Sequence, residues 1–238
     1  MSEDNAAAGN SDAPKGVVWD LDGVLVDTGE FHYQSWVAVL PDYGIPYDRA
    51  AFQRTFGMNN VGTLRALAGD RLSAEVVAEI SERKEQWFRE AVHGRAQPLP
   101  GVLEWLQRLK ERGYRQGIAS SAPQANIDAL VGELDITGYF DAIVAGAQLP
   151  PKPDPTVFLK VASLMNVPPG RCVVVEDARA GVEAARRAGM RCIAVTTTNP
   201  AEALRAADVV VDRLDQLPED TFERLLALPT GPARRAST

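Results

Sequence analysis

The sequence predicts an α/β protein: a doubly wound, parallel, Rossmann-like sheet core with an inserted α-helical cap domain. Three observations predict it. Six short Val/Ile-rich runs, nearly continuous in apolar character, recur along the chain, and such runs mark strands covered on both faces. Helical patterns separate most of them, which is the spacing of crossover connections in a parallel sheet. One connection, from about Glu30 to Gln97, is far longer than a loop and carries helical patterning only. It reads as a domain inserted after the first strand and lying over the strand ends, where ligands bind in such sheets.

In order, the expected strands are Gly16–Asp20, Arg115–Ser120, Ala142–Ala145, Cys172–Glu176, Cys192–Thr196 and Val209–Val211. Pro100-Gly101 opens a helix over Val102–Arg112, where Val102, Leu103, Leu106 and Leu109 share a face and Gly113 ends it. Asp154-Pro155 opens a helix over Thr156–Met165, with the proline suited to a first turn. A third helix runs over Ala178–Ala188 and stops at Gly189. The resulting division is a disordered lead-in at 1–14, core segments at 15–29 and 98–228, a helical cap at 30–97, and a disordered tail at 229–238.

Composition narrows the function. The chain has 238 residues, 45% of them hydrophobic, so a substantial core is expected. A net charge of −7 without any basic run argues against nucleic acid as a partner. No apolar run approaches membrane-span length, and the polar start of the chain has no apolar signal core. The expectation is a cytoplasmic protein with no membrane partner. Cys172 and Cys192, the only cysteines, lie in apolar strand runs and read as small buried hydrophobes.

The chemistry concentrates at strand ends. The first strand runs into Asp20-Leu21-Asp22-Gly23, two carboxylates with a turn glycine. Alone this could be an ordinary Asx turn; an EF-hand is ruled out because a strand precedes it and the later acidic ligands are missing. The second strand ends in Ser120-Ser121, the loop after the third holds Lys152 between prolines, and the fourth ends in Glu176-Asp177. Taken singly these could be a helix cap, a solvated loop charge and two acids at a helix start. An acid–hydroxyl–lysine–acid order at consecutive strand ends is a pattern of another kind.

Those four motifs resemble the haloacid dehalogenase superfamily of phosphotransferases, over about Lys15 to Leu217. The helical insertion between the first two motifs is similar to the cap of the subfamily that includes β-phosphoglucomutase and many sugar-phosphate phosphatases. The resemblance implies Asp20 as a nucleophile forming an aspartyl-phosphate and Asp22 as general acid/base. It implies Ser120 binding phosphoryl oxygens and Lys152 stabilising charge. Mg²⁺ would be held by the Asp20 carboxylate, the Asp22 backbone carbonyl and Asp177, with Glu176 ligating directly or through water. The partner implied is a small phosphorylated metabolite.

The cap refines this in two directions. Thr28 to Trp36 resembles that subfamily's hinge and first cap helix, which marks Thr28, His32 and Trp36 as hinge and substrate-side residues. His32 and Trp36, four apart, share a helix face; without the motif, His32 would read as a helix-surface residue. Lys84 is either the family's substrate-contacting lysine or one solvated charge among Glu82, Arg83 and Glu85. Asn60 falls where a mutase has the arginine that grips a second phosphate, and a neutral amide does not replace a guanidinium there. Arg65 could do so only by a different loop path. Hydrolysis of a phosphate monoester, sugar or polyol phosphate, is therefore the expected reaction. The alternatives are a β-phosphoglucomutase-type mutase and, third, a non-catalytic phosphate-ligand binding protein on the same fold. Trp87, Phe88 and Trp105 read as packing residues.

Overall fold

The computed structural model describes residues 13–228, so nearly all of the lead-in and the whole tail expected to be disordered lie outside the described residues. Six strands form one sheet: β1 (Gly16–Trp19), β2 (Arg115–Ser120), β3 (Ala142–Ala145), β4 (Cys172–Glu176), β5 (Arg191–Val195) and β6 (Val209–Val211). All neighbours pair in parallel, in the order β3-β2-β1-β4-β5-β6. β1 is central, and the chain winds first to one side of it and then to the other. Trp19 is in register with Ile118 of β2 and Val175 of β4. The next residues of these three strands, Asp20, Ala119-Ser120 and Glu176, therefore reach the carboxyl edge together. That edge is the switch point at which doubly wound sheets bind ligands.

Alternation along each strand divides the core into two layers. Val17, Trp19, Val173, Val175, Ile193 and Val195 face helices α5 (Val102–Glu111), α6 (Gln124–Glu133) and α10 (Thr221–Ala227). Val18, Val174, Cys172, Cys192 and Ala194 face α7 (Thr156–Leu164), α8 (Arg179–Arg187) and α9 (Ala201–Leu204). Both cysteines are free and buried, as small hydrophobes. Phe222 joins the first layer together: its ring lies 5.0 Å from Trp105, 6.5 Å from Trp19 and 6.4 Å from Tyr114, centroid to centroid. Phe222→Ala should cost about 3–5 kcal/mol, the usual range for emptying a fully buried aromatic site; urea unfolding monitored by far-UV circular dichroism checks it, and a loss below ~1 kcal/mol would contradict this packing.

Between β1 and α5 lies the cap: α1 (Gly29–Val39), α2 (Arg49–Thr55), α3 (Asn60–Ala68) and α4 (Ala74–Val92). It has its own core of Trp36, Val39, Leu40, Ile45, Leu64, Ala68 and Ile80. Side-chain caps start three of its helices. Asp48 accepts from the Ala51 amide (2.7 Å), Asn59 from Gly62 (2.8 Å) and Ser73 from Val76 (3.4 Å), each filling an otherwise orphaned donor. Trp36, expected on the substrate side, lies inside this cap core and is 4% exposed. Trp87 corrects the packing expectation: it is 48% exposed, while Phe88 beside it is buried. No helix among the described residues is long and apolar enough to cross a membrane.

Candidate active site

The four strand-end motifs converge. Lys152 Nζ donates to Asp20 Oδ1 at 2.7 Å and to Glu176 Oε1 at 2.5 Å, with both acids buried and the lysine largely so. Two carboxylates from adjacent strands thus share one ammonium carried by the loop after β3. Glu176 Oε2 accepts from the backbone amides of Asp177 and Ala178, both at 2.8 Å, so both of its oxygens are engaged within the protein. α8 comes so close that a side chain at Gly181 would overlap the Glu176 carboxylate. Gly23 serves the turn after Asp22 in the same way: its φ is +80°, and a Cβ there would overlap Asp177 Oδ2.

Asp20, Glu176 and Asp177 offer carboxylate oxygens that all lie within 4.8 Å of one another. Burial pushes the Asp20 carboxyl up to about 7, helped by Glu176 and Asp22 and opposed by Lys152. Asp177 is raised well above the usual range, by burial first and then by Glu176 and Asp20. One lysine does not neutralise three packed acids. An all-oxygen, anionic donor set of this kind suits a hard divalent cation such as Mg²⁺.

Folding raises both pKa values above the unfolded carboxyl value of 3.8, so the stabilisation belongs to the protonated forms. It is complete below that value and is lost as pH rises through about 7 for Asp20. Without metal, the cluster should therefore weaken the fold more at about pH 8 than at about pH 6, and added Mg²⁺ should raise the melting temperature more at the higher pH. Melting curves in EDTA and in Mg²⁺ at both pH values test this; equal Mg²⁺-induced shifts would refute it.

Asp22 stands across from this cluster, next to the hinge. Its Oδ1 accepts from Thr28 Oγ1 at 2.5 Å and lies 3.5 Å from His32 Nε2; its Oδ2 lies 3.5 Å from Ser120 Oγ. Burial works to raise the Asp22 carboxyl, but His32, Thr28 and Lys84 outweigh it and hold it below the ordinary carboxylate range. His32 stacks on Phe88 at 4.2 Å, and burial together with Lys84 lowers its pKa. With the Lys84 ammonium donating to Nδ1 at 2.8 Å, the His32 ring carries its proton on Nε2, toward Asp22. Ser120 is fully buried at the end of β2, and its Oγ accepts from the Ala122 amide at 3.0 Å.

The structure separates neighbours whose roles the sequence left open. Lys84 is 2% exposed and faces the site, while Arg83 turns outward to Asp42 and Tyr43. A signal for this was present: Ile80, Lys84, Phe88 and Val92 recur every four residues, so Lys84 sits in the buried stripe of α4. Asn60 donates through Nδ2 to Glu85 Oε1 at 2.8 Å, and the exposed Arg65 pairs with Asp70.

Sequence reasoning missed Thr198 and Asn199. Thr198 Oγ1 donates to Asp177 Oδ2 at 2.5 Å, and Asn199 Nδ2 to the Asp177 carbonyl at 3.1 Å. They follow β5, the next strand end in the series, and that position was the available clue. Asn126 and Glu85 were missed too, and no local pattern marks Asn126.

Comparisons with known proteins show the family and the fold. Residues 17–195 match the family described as haloacid dehalogenase-like hydrolase. A β-phosphoglucomutase of Bacillus subtilis is 32% identical over 212 residues, covering 85% of this chain and 91% of that protein. A phosphorylated carbohydrates phosphatase of Thermotoga maritima is also 32% identical, over 207 residues, covering 82% and 91%. The crystal structure of a β-phosphoglucomutase from Clostridium difficile superposes with a TM-score of 0.80 at 26% identity, covering 90% of this chain and 97% of that one. Because the matched span takes in Asp20, the whole cap, Ser120, Lys152 and Glu176-Asp177, the chain belongs to the haloacid dehalogenase-like hydrolase family.

Proposed function

We propose that the protein is a Mg²⁺-dependent phosphatase that hydrolyses a small sugar or polyol phosphate through an aspartyl-phosphate on Asp20. The observation that carries this is the Lys152 bridge between Asp20 and Glu176, with Asp22 held separately by Thr28 and His32. The two aspartates of one motif stand in different electrostatic environments, Asp20 pushed up and Asp22 held down. A nucleophile and a general acid need the reverse, so this reading requires a bound cation to ionise Asp20 and the substrate's phosphate charge to raise Asp22.

In this reading the Asp20 carboxylate attacks phosphorus in line with the leaving oxygen. Lys152 offsets the charge on Asp20 and on the transferring group, and Ser120 with its neighbouring amides binds the phosphoryl oxygens. Mg²⁺ would be held by Asp20, the Asp22 carbonyl and Asp177, with Glu176 acting through Lys152 and water because its own oxygens are engaged. The bound metal supplies the positive charge that lets an anion approach a phosphate dianion. Asp22 rests as a carboxylate, and the negative charge of an arriving phosphate pushes it toward protonation. Protonated Asp22 gives its proton to the leaving alkoxide, and as a carboxylate again it takes one from the water that cleaves the aspartyl-phosphate.

The mutase is the second reading, and the Asp22–His32–Lys84 chain favours it because it resembles a mutase hinge. Against it, Asn60 is a neutral amide engaged by Glu85, and Arg65 points to solvent beside Asp70 rather than into the site. The relatives support both reactions. A panel of sugar phosphates assayed for phosphate release with and without Mg²⁺ tests the phosphatase. Phosphorus NMR of β-glucose 1-phosphate discriminates: conversion to glucose 6-phosphate faster than phosphate release would establish the mutase instead.

A further inference from the structure

A continuous polar chain runs from the core helix α6, through the cap, to Asp22. Asn126, in the first turn of α6, is 1% exposed. Its Nδ2 donates to Glu85 Oε2 at 2.5 Å and its Oδ1 accepts from Arg89 Nη1 at 3.1 Å. Glu85 and Arg89 are four apart on α4 and so present acid and base on one face. A carboxamide, donor at one atom and acceptor at the other, matches that pair; no ionised side chain of similar size does both. Glu85 Oε1 then accepts from Lys84 Nζ at 2.9 Å and from Asn60 Nδ2, and Lys84 reaches His32, which faces Asp22.

Among the described residues, Asn126 makes both of the links by which this chain crosses from the cap to α6; Glu133, at the far end of α6, separately accepts from the Gly94 amide and meets His93 just beyond α4. Glu85 is 6% exposed and Lys84 2%, so the pair has left water while the cap lies against the core. Burying both charges is tolerable only with their hydrogen bonds complete. Asn126 supplies one of these from the core, and it does so only while α4 lies on α6.

We propose that Asn126 is a positioning residue: the core half of a closure latch that engages Glu85 and Arg89 and thereby sets Lys84 and His32 against Asp22. The inference rests on the reading of Asp22 as the acid that protonates the leaving group. The latch ties that proton transfer to cap closure, so a substrate held in an open cap meets the nucleophile without the acid in place.

The test compares two donors of similar shape but different need for an acid, phenyl phosphate and para-nitrophenyl phosphate, at saturating Mg²⁺. Asn126→Asp sets a carboxylate against Glu85, and Asn126→Ala removes both hydrogen bonds without adding charge. Each should lower kcat for phenyl phosphate about tenfold more than for para-nitrophenyl phosphate, whose leaving group departs without a proton. In the double variant Asn126→Asp with Glu85→Gln, a donor again faces an acceptor, and most of the difference should disappear. Equal losses on both donors, as general destabilisation would produce, overturn the latch, and so does absence of rescue. If the unaltered protein releases phosphate from neither donor nor from the sugar-phosphate panel, the phosphatase reading fails and the latch falls with it. Activity in the unaltered protein with equal losses in the variants sinks the latch alone.

Discussion

Asp20→Asn should reduce Mg²⁺-dependent phosphate release to background, a loss on the order of 10⁴-fold or more. The carboxamide keeps the size of the side chain and can stay within reach of Lys152, but it is no nucleophile. Stability should move the other way. Asp20 is pushed up to about 7, so at about pH 8 its ionised form is held in the fold against the pressure of burial and of Glu176 and Asp22. Removing that charge should leave the metal-free melting temperature at this pH unchanged or raised. A variant that folds as well as the parent yet transfers no phosphoryl group is the expected result. Full turnover by Asp20→Asn would remove the aspartyl-phosphate from the mechanism.

Lys152→Met should produce the second large effect, with a direction in pH as well as in rate. Lys152 Nζ is the cation between Asp20 and Glu176, and it is the influence that keeps Asp20 from rising further. Without it the Asp20 pKa climbs above about 7, so a smaller fraction of the nucleophile is ionised at neutral pH. At subsaturating Mg²⁺, where the proton competes with the metal for Asp20, the acidic limb of the kcat/KM profile should therefore shift to higher pH. Loss of charge stabilisation in the transition state should add a fall of about 10²–10³-fold on the plateau. The profile between about pH 5 and pH 9 measures both. A rate loss with no alkaline shift would mean that Lys152 acts on the substrate alone.

The sheet was legible because burial on both faces forces a local signature. β1, and β4 up to its terminal Glu176, are apolar at every position, and their alternate residues turn to opposite layers, so the strands could be placed to within a residue. The site was legible for a related reason. In a parallel sheet each crossover returns the chain to the same edge, so residues at successive strand ends become neighbours whatever the length between them. Asp20 and Lys152, 132 residues apart, meet at 2.7 Å on that principle. Thr198 and Asn199 obey it too, at the end of β5, and an extension of the same reading by one strand would have included them.

Cap side chains were less accessible. Arg83, Lys84 and Glu85 are consecutive charges, and nearest-neighbour chemistry treats them alike. Their fates differ because successive helix positions are about 100° apart, and tertiary packing decides which direction faces inward. Arg83 went outward to Asp42 and Tyr43, Lys84 to His32, and Glu85 to Asn126.

By itself the sequence determined the order of chemistry along the sheet edge: two aspartates, a serine, a lysine and an acid pair. Strand periodicity and chain connectivity suffice to bring those together. Only the tertiary structure decided that Asp20 shares Lys152 with Glu176, that Asp22 belongs to a separate chain through Thr28, His32 and Lys84, and that Asn126 joins that chain to the core. These are hydrogen bonds between side chains from different elements. Their partners depend on how two packed bodies meet, and no periodicity within either body encodes that meeting.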